Sequence, residues 1–408
     1  MYNLFIFNET SRAAVYGIGT YVNELVNSLK MIDYLNINVV TIRDNNPEFE
    51  LKETDGIKYW RIPLSKYLIN KQQYNVYYKN VVAILKKYVG DTENMIVHIN
   101  YLQCFSLLEN LKQVFNCKII TTVHYMNWCF DLQGNRLRLK KLLERKDLTE
   151  TEAATLTIFE SETKLLQNSD AIICLSDYTL GILCNESEVP ANKIKVIYNG
   201  LQDCTIDNVD KNKIKERYYL NTGEKIILFA GRLDIAKGVD ILIKAYQKVL
   251  EHIPNSRLVI AGEGNFKEYL SIADNIWAKI TFTGRIDREK LFDFYSIADV
   301  GVMPSTHEQC SYTAIEMMMH GIPIVATKTT GLTEMIDNNG IKIPVTELED
   351  NVEIPFELIA EGIIKILTNN ELLKDLSVKS RQRYCDYYTS ELMKQNTLNY
   401  YQEIITQL

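Results

Sequence analysis

Two short stretches carry the residue types needed for chemistry on a charged, hydroxyl-rich ligand. The first, Gly231-Arg232-Leu233-Asp234-Ile235-Ala236-Lys237-Gly238, follows an apolar run and precedes a helical pattern beginning near Val239. Two cations at a strand end beside a helix N-terminus suit a diphosphate. Arginine offers a planar fork, lysine a point charge, and the helix end its free N–H groups. A solvated loop with surface charges is the structural alternative. The second stretch runs Met303-Pro304-Ser305-Thr306-His307-Glu308-Gln309-Cys310-Ser311-Tyr312-Thr313-Ala314-Ile315-Glu316. It places two carboxylates, Glu308 and Glu316, on either side of a loop-to-helix junction. Carboxylates accept from hydroxyls, so a ribose and a sugar ring are natural partners. Ile315, Met317, Met318 and Met319 surround Glu316 and predict a largely buried helix, with Ser311 as its N-cap and Gly321 after its end at His320. A buried glutamate requires a partner.

These residues need a scaffold, and the chain supplies one. Apolar runs of strand length alternate with helical patterns, the signature of an α/β protein with parallel sheets. The expected strands of the first half are 4–7, 38–42, 95–99, 118–123, 171–175 and 194–198. Those of the second half are 225–230, 257–261, 279–282, 300–304 and 324–327. Residues 20–29 and 239–250 carry one-face apolar stripes and predict helices. Segment 135–169 reads as one or two helices inserted into the first half, and the chain closes in a tyrosine-rich helical stretch over 371–408. Each half reads as a doubly wound βαβ unit. The join falls within 201–222, where 202–208 is polar and lacks periodicity. Glycine is scarce, 18 in 408 residues, yet Gly231, Gly238, Gly262, Gly264, Gly284, Gly301, Gly321 and Gly331 fall within 231–331. In open α/β sheets ligands bind beyond the carboxyl ends of strands, where glycine lets backbone approach closely. Any one of these reads first as a tight turn; the set points to a ligand site.

Composition narrows the function. The formal net charge is −7, which argues against a general nucleic-acid binder. Mean hydropathy is −0.14, and no apolar stretch reaches the length of a membrane span. The first residues lack a basic n-region and read as a strand, not a signal peptide. Eight cysteines are scattered without zinc spacing or a Cys-x-x-Cys pair. They are expected to be small buried hydrophobes in a reducing cytosol. No Asp-x-Asp or histidine cluster demands a metal.

Gly231-Arg232 with Lys237-Gly238, then Gly262-Glu263-Gly264, then Glu308 and Glu316 followed by Gly321-Ile322-Pro323-Ile324-Val325-Ala326-Thr327, resembles the retaining glycosyltransferases of family four. The resemblance covers the whole second half and, more loosely, the first. It implies the GT-B fold: two Rossmann-like α/β domains facing across a cleft, with a last helix crossing back. The implied domains are 1–205 for the acceptor, 206–375 for the nucleotide sugar, and 376–408 for the returning helix. By resemblance, Arg232 and Lys237 hold the donor diphosphate, Glu316 bonds the ribose hydroxyls, and Glu308 contacts the transferred sugar. Gly17 and Gly19, in Tyr16-Gly17-Ile18-Gly19-Thr20, resemble the family's glycine-rich loop. His124 matches a strand-end histidine facing the donor sugar, and Asn199-Gly200 the end of the first domain. Gly231, Gly264, Arg285, Cys310, Ser311 and Tyr312 complete the implied donor contacts. Ser311 stands where the family usually has glycine, and Cys310 replaces a common phenylalanine.

The implied reaction is metal-independent transfer, with retention, of a hexosyl unit from a nucleotide-diphosphate sugar to a hydroxyl. UDP-hexose is the first choice of donor. The acceptor is a glycan, a lipid-linked group, a peptide or a small molecule, and no cofactor beyond the donor is expected. A nucleotide-sugar epimerase or hydrolase on the same scaffold, and a non-catalytic partner subunit, are the alternatives. For His98, His307 and Ser176-Asp177 a structural role comes first. Segment 136–146 is strongly basic with interleaved leucines; it reads first as a packing helix, second as a contact to an anionic membrane at the cytoplasmic face.

Overall fold

The computed structural model describes residues 2–10, 16–64, 70–90, 94–206, 209–349 and 351–406. Asp207 and Asn208 of the expected linker lie outside them. Contacts divide the chain into two compact units. One holds Met1–Trp128, Arg145–Gly200 and Ser390–Leu408; the other holds Cys129–Glu144 and Leu201–Thr389.

The first unit is built on an eight-stranded sheet. Its strands are β1 (Tyr2–Glu9), β2 (Leu35–Asp44), β3 (Glu50–Thr54), β4 (Ile57–Pro63), β5 (Met95–Ile99), β6 (Cys117–Val123), β7 (Ala171–Cys174) and β8 (Ile194–Val196). The order is β3-β4-β2-β1-β5-β6-β7-β8, parallel except for β3 against β4. That edge hairpin was not among the expected strands. Its signal is Asp55-Gly56, both at positive φ (52° and 74°), which is the backbone a two-residue hairpin turn demands. Ile57, Trp60 and Ile62 then point into the core.

The second unit carries β9 (Lys225–Ala230), β10 (Ser256–Ala261), β11 (Ile280–Gly284), β12 (Val300–Met303), β13 (Ile324–Thr327) and β14 (Gly340–Ile343). Their order is β11-β10-β9-β12-β13-β14, all parallel. Parallel strands are covered on both faces, so they read as continuous apolar runs; Ile226, Ile227, Leu228 and Phe229 are all buried. The helix Val239–His252 lays Val239, Leu242, Ile243, Tyr246 and Val249 against this core. Each such side chain contributes about 1.5–3 kcal/mol on burial. The chain winds outward from β9 through β10 to β11, and the other way from β12 through β13 to β14. The topological switch point therefore lies between β9 and β12, where ligands of open α/β sheets bind.

Several boundaries differ from the expected ones. The contact division falls after Gly200 and after Thr389, not at 205 and 375. The terminal stretch is two helices, Asn370–Tyr387 and Ser390–Ile405. The first packs on the helix Tyr312–Met319 of the second unit, where Ser380 Oγ donates to Ile322 O at 2.7 Å. Only the second belongs to the first unit, where it packs on the helix Gly17–Leu29. Segment 135–169 forms two helices, Arg136–Glu144 and Glu150–Asn168, and the former belongs to the second unit. All eight cysteines are free, but not all are buried. Cys104, Cys129, Cys174 and Cys310 are buried, Cys117 and Cys184 are partly so, and Cys204 and Cys385 are exposed on polar, irregular or helix-surface positions.

Candidate active site

The two chemistry-bearing stretches leave β9 and β12, the strands that flank the switch point, and they dock on each other. After β9, Gly231 and Arg232 lead into a single 3₁₀ turn, Ile235–Lys237. Thr306 N donates to Ala236 O at 2.9 Å. Lys237 Nζ forms an ion pair with Glu308 Oε1, and Ser305 Oγ donates to the same oxygen at 3.2 Å. Gly238, at φ 64°, lies so close to Pro304 that a Cβ would stand 2.2 Å from its carbonyl oxygen. The Glu308 backbone is fixed in turn by Thr330 Oγ1, which accepts from Glu308 N at 2.9 Å, and by Gly331 N, which donates to Glu308 O at 2.8 Å. Lys237 and Glu308 are both mostly buried, so the pair is fixed and partly desolvated. Arg232 is more exposed and lies 3.3 Å from Asp234.

Glu316 sits on the helix Tyr312–Met319 with the partner a buried carboxylate needs. Tyr295 Oη donates to its Oε2 at 2.8 Å, and Arg288 Nε stands 3.9 Å from Oε1. Burial and this carboxylate push the Tyr295 hydroxyl well above the usual tyrosine range, so it stays a donor. Ser311 occupies the N-cap position without a side-chain cap bond; its backbone N lies 3.3 Å from Met335 Sδ. Cys310 is buried beside it, and Tyr312 opens the helix. Arg285 follows β11, exposed, 3.9 Å from Glu263. Sequence reasoning missed Tyr295, Arg288, Thr330 and Pro304, whose roles depend on contacts far along the chain.

Most of the glycine cluster serves close approach of protein segments. Gly262 and Gly264 let the loop after β10 lie against the loop after β9. Cβ atoms there would stand 1.7 Å from Gly231 O and 2.4 Å from Leu233 Cβ. Gly301 makes room for Met317, and Gly331 for the Gln309 carbonyl. Gly231 and Gly284, both at positive φ, and Gly17 have no such crowding from backbone. The set thus builds the site mainly by letting protein segments meet.

In the first unit, His124 follows β6. Its Nε2 lies 3.0 Å from Asn100 Oδ1, and its ring meets the edge of Tyr21 at 4.6 Å. Gly17 and Gly19 form the first turn of the helix Gly17–Leu29. The loop beyond His124 is anchored by Glu162, fully buried, which accepts from Asn127 N at 3.3 Å and from its side-chain amide. His98 is structural: its Nδ1 lies 2.5 Å from Tyr401 Oη and its Nε2 2.6 Å from Thr122 Oγ1. Ser176 is structural too, capping the helix Asp177–Asn185 by accepting from Thr179 N. In the basic helix Arg136–Glu144, Leu139 and Leu142 pack inward while Leu137 and Leu143 are exposed. Among the described residues no group of three or more His, Cys, Asp or Glu side chains is arranged to hold a metal, and no helix is long and apolar enough to cross a membrane.

Burial pushes the pKa values of His98 and His307 down to about 3, with Lys237 adding to the effect at His307. Such groups bind protons in the unfolded chain first. Their contribution to stability is present above about pH 6.5 and is lost as pH falls toward 3. Replacing His98 by Gln should therefore flatten the acid-side dependence of urea-unfolding stability, by up to about 1.4 kcal/mol per pH unit between pH 6 and 4. An unchanged slope would mean that the ring is protonated in the folded state.

Comparison with known proteins now decides the family. The profile described as Glycosyltransferase Family 4 matches residues 15–203, and that described as Glycosyl transferases group 1 matches residues 210–383. The chain belongs to the family-four glycosyltransferases. An uncharacterized glycosyltransferase of Methanocaldococcus jannaschii is 30% identical over 228 residues, 54% of this chain and 56% of that protein. The chain thus spans little more than half the length of that relative. Sucrose-phosphate synthase from Thermosynechococcus elongatus superposes with a TM-score of 0.79 at 21% identity, covering 100% of both chains. Anabaena HepE, solved in complex with UDP, superposes with a TM-score of 0.73 at 16% identity, again over 100% of both. The fold of this glycosyltransferase is GT-B, with two Rossmann-like α/β domains.

Proposed function

We propose that this glycosyltransferase moves a hexosyl unit from a nucleotide-diphosphate sugar, UDP-hexose first, to a hydroxyl acceptor, with retention and without a metal. The observation that carries this reading is the fixed Lys237–Glu308 pair at the switch point, with Arg232 beside it. Breaking the bond between the anomeric carbon and the diphosphate leaves negative charge on the phosphate and positive charge on the sugar. In this reading Arg232 and Lys237 stabilise the first, as preorganised charges do in a partly desolvated site. In this reading Glu308 bonds the transferred sugar, and Glu316, held by Tyr295, bonds the ribose hydroxyls. The acceptor hydroxyl attacks the anomeric carbon on the face the diphosphate leaves; its proton passes to the departing phosphate oxygen. UDP as the nucleotide is supported by the complex of Anabaena HepE.

The test is a thermal-shift screen with UDP, GDP, ADP and their hexose conjugates, each with and without EDTA. A single diphosphate should stabilise the protein by about 2.7 kcal/mol at a hundredfold excess over its dissociation constant, unaltered by EDTA. A shift that EDTA abolishes and Mg²⁺ restores would overturn the metal-free part. No shift with any of them would favour a non-catalytic subunit.

A further inference from the structure

His307 precedes Glu308 and is 8% exposed. Its Nδ1 is buried without a hydrogen-bond partner among the described residues. Leaving a buried ring nitrogen unsatisfied is unfavourable, so packing must hold the ring in place. That packing comes from Cys129–Glu144, which by its contacts is part of the second unit despite its place in the sequence. Gln133 and Gly134 both take positive φ, 55° and 71°. The turn they make lays Gly134 on the imidazole: a Cβ there would stand 3.3 Å from His307 Cβ and Thr306 O, and 3.4 Å from Nδ1. Phe130 meets the ring edge-on, centroids 6.2 Å apart.

The segment is itself pinned down. Gln133 Oε1 accepts from Val352 N at 3.1 Å, and Asn135 Nδ2 donates to Leu348 O at 2.8 Å. Asn135 Oδ1 also accepts from Arg138 N at 3.0 Å, starting the helix Arg136–Glu144. Lys141 reaches Glu349 at 2.7 Å, and Leu132, Leu139 and Leu142 are buried. All of this rigidity converges on the residue next to Glu308.

We propose that Cys129–Glu144 is a sugar-specificity element, in which Phe130 and Gly134 hold His307 to hydrogen-bond a hydroxyl of the transferred sugar. The inference rests on the reading of Glu308 as the residue that contacts that sugar. With Nδ1 against Gly134, the neutral ring keeps its proton on Nε2 and is a donor there. A fixed N–H donor next to a carboxylate acceptor reads the orientation of neighbouring hydroxyls, which is how hexoses differ. Neutrality also keeps a further positive charge away from the anomeric carbon as it becomes electron-poor. His307 would touch the sugar; Gly134 and Phe130 are positioning residues.

The experiment measures binding by calorimetry of UDP, UDP-glucose, UDP-galactose and UDP-N-acetylglucosamine to the whole protein and to His307→Leu, Phe130→Ala and Gly134→Ala; if the screen selects another base, its diphosphate and conjugates replace these. The expected result is UDP affinity within about twofold of wild type, with the preference among sugars reduced about tenfold. His307→Leu and Phe130→Ala keep the test decisive if Gly134→Ala does not fold. Variants that weaken UDP and every UDP-sugar equally, or that only lower the melting temperature with preference intact, would overturn the proposal. Wild-type protein that binds no nucleotide would overturn the transferase reading itself, and this inference with it.

Discussion

Lys237→Ala should lower the transfer rate by on the order of 10²-fold or more, while the protein stays folded. Two deficits combine in that variant. The ammonium that the proposed function sets against the leaving diphosphate is gone, and Glu308 loses the ion pair that holds its carboxylate. Ser305 and Thr330 still hold the loop, so the loss in stability should be only about 1–2 kcal/mol. Lys237→Arg separates the two functions. It keeps the charge but exchanges a point charge for a planar fork opposite Glu308, and an intermediate rate is expected. Glu308→Gln is the companion: it should keep UDP affinity and lose turnover. Rates measured with saturating UDP-hexose, beside melting temperatures, decide the matter. A near-normal rate in Lys237→Ala would sink its assigned role.

What made this site readable in the sequence was local. Gly231-Arg232 and Lys237-Gly238 follow a strand, and Glu308 follows another; both facts need only the alternation of apolar runs and turns. The strand order that makes β9 and β12 neighbours was implied only by resemblance, and it is this order that joins the two stretches. The contacts that hold the two glutamates lie 21 and 22 residues away in the chain, Tyr295 at the Glu316 carboxylate and Thr330 at the Glu308 backbone. No periodicity encodes them. Cys129–Glu144 is the clearest case. Its place between His124 and the helix Glu150–Asn168 assigns it to the first half, yet its partners are Thr306, His307 and residues 348–352. The edge hairpin was missed although its signal is local: Asp55-Gly56 between alternating residues is a turn signal in its own right. The Thr149/Glu152 capping box that starts the helix Glu150–Asn168 is a second local signal that was not read. Cys204 and Cys385 escaped because burial of a small side chain is a tendency of the residue type, and position decides it.

Gly262→Ala should be among the most damaging single-methyl changes in the second unit. The new Cβ would stand 1.7 Å from Gly231 O, at a backbone φ of 155° that other residues rarely adopt. The contact is with backbone, so no side chain can swing aside to relieve it. The loops must part, which breaks the bonds from Gly231 N to Ala261 O at 2.9 Å and from Leu233 N to Glu263 O at 2.8 Å. Strain and overpacking together should cost about 3 kcal/mol or more, lowering the melting temperature by roughly 5–10 °C. Because Arg232 lies between those two bonds, UDP should also cease to stabilise the variant. Gly284→Ala is the control, with φ 67° and nothing within 4 Å of its Cβ. It carries only the local backbone cost of about 1–2 kcal/mol, and UDP should still protect it. If the two variants melt alike and both respond to UDP, the loops after β9 and β10 do not depend on each other, and the glycines there must be explained by the ligand instead.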